Sequence, residues 1–127
     1  MLEIKQGTDT VLEVIVTDQE TQFVDLTDVD IQRIYATVRL GRHDKFKFAN
    51  DLTGLGGYIL CEVDATITHK LLVKLTREQT RCLDIGTVNI DISIDYTDTS
   101  FPNNLRREEF QFNKIAEVVK GSSRLIS

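Results

Sequence analysis

The sequence predicts an all-β domain, a sandwich of antiparallel sheets. Three observations carry that expectation. Apolar and polar residues alternate with period two along several segments, turn-forming residues interrupt them about every 8 to 12 residues, and only one segment carries helix start and stop signals. The clearest alternation covers residues 87–97, where Val88, Ile90, Ile92, Ile94 and Tyr96 take one face and Thr87, Asn89, Asp91, Ser93, Asp95 and Thr97 the other. One apolar and one wet face mark an antiparallel sheet covered on one side, not the doubly covered parallel sheet of an α/β protein.

Taken in chain order, Leu12, Val14 and Val16 mark the first strand. Ile34, Ala36, Val38 and Leu40, set against Arg33, Tyr35, Thr37 and Arg39, mark the second. Phe46 and Phe48 alternate with outward Lys45 and Lys47 in a third. Residues 58–63 are apolar at nearly every position, which predicts a strand that is central or covered on both faces. Ile67, His69, Leu71, Val73 and Leu75 mark a fifth, and residues 87–97 a sixth. In the last, residues 108–119, Phe110 and Phe112 share one face but Ile115 and Val119 take the other, a phase slip that implies a bulge or kink near Asn113. The one helical signal is Thr76 with Gln79 three residues on, a capping-box spacing, closed by Asp84-Ile85-Gly86 after barely two turns. Such a turn lies across an open end of the sandwich with Leu83 as its plug. The pattern as a whole is that of an immunoglobulin-like antiparallel β-sandwich of about seven strands with one short helical turn. Its interior is expected to hold Leu12, Val14, Val16, Ile34, Val38, Leu71, Val73, Ile90 and Ile92.

With 127 residues, 41% of them hydrophobic and 28% charged, the chain has material for one core and not two. Residues 1–120 form the expected domain, and residues 121–127, beginning Gly-Ser-Ser and ending in apolar residues, a flexible C-terminal arm. A net charge of −5 repels phosphate backbones and anionic lipid, so neither nucleic acid nor membrane is an expected partner. The Met1 end lacks the basic and apolar stretches of a signal peptide, which points to synthesis in a cytoplasm. Cys61 and Cys82 both stand where an apolar residue is expected, so both are read as reduced, buried thiols.

Groups that converge for chemistry are hard to find. His43 sits in a charged turn and His69 at the entry of a buried stripe, neither with a nucleophile at a recognisable spacing. Asp25, Asp28 and Asp30 lack the order of a calcium loop and read as turn residues; Asp91 and Asp95 read as a solvated strand face. Gly54, Gly56 and Gly57 lack the Lys-Ser/Thr and the helix of a phosphate cradle. The expectation is a protein that is not an enzyme, with no catalytic or metal-binding residues, no cofactor and no small-molecule substrate.

Four stretches resemble a module of tailed-bacteriophage virions, best known as the N-terminal domain of baseplate upper proteins. They are Ile4-Lys5-Gln6-Gly7-Thr8-Asp9-Thr10 before the first strand, Val24-Asp25-Leu26-Thr27-Asp28 after the first hairpin turn, Val73-Lys74-Leu75-Thr76-Arg77-Glu78-Gln79-Thr80 running into the helical turn, and the long strand over residues 86–96. Thr87-Val88 departs from the pattern, standing where such modules often carry an aromatic. The resemblance implies a non-enzymatic virion structural protein that attaches to or joins other baseplate, tail, neck or head proteins, located in the virion, with those proteins and copies of itself as partners. The alternative is a carbohydrate- or calcium-dependent binding module on a similar sandwich, which needs exposed aromatics; Tyr35 is the only outward one in the pattern. Two segments are candidate contacts. Leu52 and Leu55, held between glycines in the loop of residues 50–57, either tuck back onto the domain or form a docking knob. Arg124, Leu125 and Ile126 either fold under their own domain or add to the open edge of a neighbouring sheet.

Overall fold

A computed structural model describes residues 2–121. The protein is mostly β, a curled mixed sheet with a second, smaller one. Its elements in order are β1 (Leu2–Lys5), β2 (Thr10–Ile15), β3 (Ile31–Leu40), β4 (His43–Ala49), β5 (Ile59–Leu60), β6 (Glu62–Val63), β7 (Lys70–Leu75), α1 (Arg77–Arg81), β8 (Gly86–Thr97) and β9 (Leu105–Val119). The large sheet runs β1-β9-β8-β3-β4-β5 and the small one β2-β7-β6. The inward faces of both sheets meet in a single buried cluster, and all nine residues expected inside are buried.

The expectation of purely antiparallel sheets and about seven strands needs correction. β1 pairs with β9, and β4 with β5, in parallel. Only a tight hairpin forces antiparallel pairing, and neither pair is joined by one. β1 escapes the alternation because its four residues bury only Ile4. The run 58–63 is two strands in two sheets: Ile59 and Leu60 pair with β4, Glu62 and Val63 with β7. Cys61 sits between them, buried, its amide donating to the Ala49 carbonyl at 2.9 Å. A segment that passes from one layer to the other is covered from both sides, hence its unbroken apolar character. β7 begins at Lys70 rather than at Ile67, because the Asp64 carboxylate accepts the amides of Thr66 and Ile67 and turns the chain. Those bonds hold Asp64 at a pKa of about 2.

The phase slip in the last strand is a bulge where it was expected. The β8–β9 register shifts between Val88 and Ile90, Lys114 takes a φ of 56°, and the Asn89 side chain accepts its amide at 2.8 Å. The cysteines differ from each other. Burial pushes the Cys61 thiol up to about 12, whereas Cys82, the C-cap of α1, is exposed. The helix closes so soon that Leu83, not its neighbour, reaches the core.

The capping box of α1 is formed as read, with Thr76 and Gln79 each accepting the other's backbone amide. The same helix is fastened to the turn between β1 and β2. The buried Thr80 hydroxyl accepts the amides of Gly7 and Thr8, both at 3.0 Å, and donates to the Thr8 carbonyl at 2.8 Å. The Gln6 side-chain amide donates to the Leu83 carbonyl at 2.7 Å, and Asp9 accepts the Arg77 amide at 2.7 Å. Gly7 has a φ of 82°, which gives the turn its left-handed step. Thr80→Val removes the hydroxyl, leaves the Gly7 amide and one of the bonds to the Thr8 carbonyl unmade, and leaves the Thr8 amide only its 3.2 Å bond to the Lys5 carbonyl. It should cost about 2–3 kcal/mol and lower Tm by roughly 5–10 °C, with Thr80→Ser close to wild type. A Val variant melting with the wild type contradicts this role.

Candidate protein interface

The loop of residues 50–57 is tied to the start of β3. The Ile34 amide donates to the Asn50 side chain at 2.8 Å, the Asn50 amide returns to the Ile34 carbonyl at 3.0 Å, and Arg33 donates to the Thr53 carbonyl at 2.6 Å. Asp51 accepts the Thr53 amide at 2.9 Å, which holds its carboxyl below the usual carboxylate range. Leu52 is 37% exposed and Leu55 half-buried, and neither belongs to the core cluster or packs against it. They stand on a fixed ledge of the domain. Arg124, Leu125 and Ile126 lie outside the described residues. Gly121 is described, and it is more than a hinge: a Cβ there would sit 2.2 Å from the Gln6 carbonyl oxygen, so only glycine lets the chain end pass β1 this closely.

The ledge borders the outer face of the large sheet, where cross-strand register builds mixed rows. Arg33, Asp95 and Arg107 form one, and Tyr35, Ser93 and Glu109 the next. Arg107 grips Asp95 with two bonds of 2.7 and 3.0 Å, and Arg39 reaches Asp91 at 2.8 Å. Asp91 and Asp95 are therefore half-buried ion-pair partners, not the solvated row the alternation suggests. Topology also brings Tyr58 beside Tyr35, ring centroids 5.9 Å apart, so Tyr35 is not the only outward aromatic. The guanidinium of Arg107 lies 5.2 Å from the Tyr35 ring centre. A cation and a second ring edge occupy this aromatic surface, which leaves little open platform for stacking a sugar.

The acidic clusters act as turn formers. Asp25 accepts the amide and hydroxyl of Thr27, which lowers its pKa; Asp28 accepts the Asp30 amide; and Asp98 holds Ser100 and Arg106. His69 lies in the turn before β7, stacked on Phe23 with ring centroids 4.0 Å apart, while His43 opens β4. Among the described residues no three His, Cys, Asp or Glu side chains are arranged to hold a metal ion, and no helix is long and apolar enough to cross a membrane.

Comparison with family models, curated proteins and solved structures finds no match to this chain. The candidate residues therefore rest on geometry alone. Replacing Leu52 and Leu55 together with Ser should cost no more than about 1 kcal/mol, because neither side chain fills the core. A Tm loss beyond roughly 5 °C would place them in the monomer's own packing instead.

Proposed function

We propose that this chain is a non-enzymatic structural protein of a tailed-bacteriophage virion, an immunoglobulin-like module that attaches to other virion proteins and to copies of itself. One observation carries the reading. The stretch from Ile4 to Thr10 and the stretch from Val73 to Thr80, two of the four that carry the resemblance to baseplate upper protein modules, are far apart in sequence yet lock together through Gly7, Thr8, Asp9, Arg77 and Thr80. A short hydrophobic pattern can recur by chance. Two patterns whose polar members complete each other's hydrogen bonds belong to one structural device.

Strand order supports the immunoglobulin-like part of the reading. β9-β8-β3-β4-β5 facing β2-β7-β6 follows the G-F-C-C′-C″ against B-E-D arrangement of variable-type sandwiches, with β1 in the place of a short strand beside G. The ledge of Leu52 and Leu55 then lies at the C′–C″ side, open to a neighbour. Mass spectrometry of purified particles from cells that carry the gene tests the proposal: the chain should be present in fixed copy number, and deleting its gene should give particles lacking a part. Particles that contain none of it, and assemble normally without it, overturn the reading.

A further inference from the structure

β9 is fifteen residues long, but β1 covers only the stretch from Ala116 to Val119. Residues 105–112 pair with β8 on one side and, among the described residues, with no strand on the other. Beneath this bare edge opens a cavity of about 650 Å³, walled by Ile92, Phe110 and Phe112 and faced by Thr17, Asp18 and Gln19 of the first hairpin turn. Phe110 and Phe112 are only partly buried. An unpaired edge beside an open cleft, polar at its rim with Ile92, Phe110 and Phe112 as its apolar part, is a place where an added strand gains both backbone bonds and contact area.

We infer that a second copy of this chain docks here, β9 against β9, antiparallel, with the two-fold axis through Glu108. Charged residues on an edge ordinarily block pairing, because an added strand meets charge of the same sign or none. Here the edge reads Arg106-Arg107-Glu108-Glu109, so its sign reverses along the strand and an antiparallel copy presents the opposite order. A two-fold axis normal to the sheet keeps every side chain on its own face, so residues meet only others of the same parity. An axis through residue 107 sets Arg107 against its own copy, and one through 109 does the same for Glu109. The axis through Glu108 makes Arg107 face Glu109 of the second copy, twice, on the outer side. On the inner side Arg106 of the second copy, already bonded to Asp98 and lying over Tyr96 of its own chain, comes level with Phe110 at the mouth of the cleft without a like charge opposite it. The two Glu108 carboxylates meet at the axis, each already paired with Arg106 of its own chain. This deepens the self-association in the proposed function and rests on it for the choice of occupant, but it is tested on the purified chain and does not depend on finding the protein in particles.

The test is the oligomeric state of the full chain by sedimentation. Wild type should form a dimer that weakens with salt. Arg107→Glu and Glu109→Arg should each raise the dimer dissociation constant at least about tenfold. An equimolar mixture of the two should dimerise again, since both contacts then join opposite charges. Should Arg107→Glu fail to fold for want of its bond to Asp95, Glu108→Cys in a Cys82→Ser background should crosslink with a short bis-maleimide. A monomeric wild type, single variants that dimerise as well as wild type, a mixture that stays monomeric, or no crosslink overturns the inference. So does a dimer that disappears on deletion of residues 122–127, which would move the contact to the chain end.

Discussion

The fold hangs on the hydroxyl of Thr80. The chain passes between the two layers at the turn after β1, which leads from the large sheet to the small one, and again at α1, which leads from the small sheet back to the large. Both crossings lie at the same end of the molecule, and Thr80 binds one to the other by accepting two amides and donating to a carbonyl. A crossing between layers carries backbone groups that no ladder satisfies, so each must find a partner or be left to desolvation. Here the two crossings satisfy each other. β1 is thereby held in parallel beside β9, and Leu83 closes the core beneath the helix.

The crossing at Cys61 solves the same problem by brevity: β5 and β6 are two residues each, with one residue between them. Its amide still bonds to the large sheet while the next residue pairs with the small one. With the layers joined there and at the Thr80 end, the remaining surface is free for other purposes. The outer face of the large sheet is neutralised within itself by Arg39 with Asp91 and Arg107 with Asp95. Among the described residues, the edge of β9 and the ledge at Leu52 stand, with the free edge of β2, among the places where the chain can meet something else.

The sequence was most legible where one face of a long strand is buried. β8 alternates without a break, and β3 does so from Arg33 on, because each residue has a fixed side, and the bulge near Asn113 shows itself as a break in phase along β9. The helix was legible through Thr76 and Gln79, whose chemistry is local. What escaped depends on contacts between distant residues. β1 buries only Ile4 and exists because β9 accepts it; the run 58–63 hides a change of sheet under uniform apolarity; Asp64 shortens β7 from outside the strand; Tyr58 meets Tyr35 only through the turn of the chain. Cys82 and Asp95 depart from the alternation for one reason: their surroundings are set by the helix end and by a neighbouring strand, neither of which local alternation records. Of the candidate contacts, Leu52 and Leu55 were visible as apolar residues among glycines, whereas the bare edge of β9 required knowing how little of it β1 covers.

Hydrogen exchange at the Gly7 and Thr8 amides tests the central claim most directly. If the Thr80 hydroxyl joins the two crossings, these amides, though they belong to a turn, open only when the whole domain unfolds, and their protection should match that of β8. Exchange at the rate of an open loop while β8 stays protected would contradict the account.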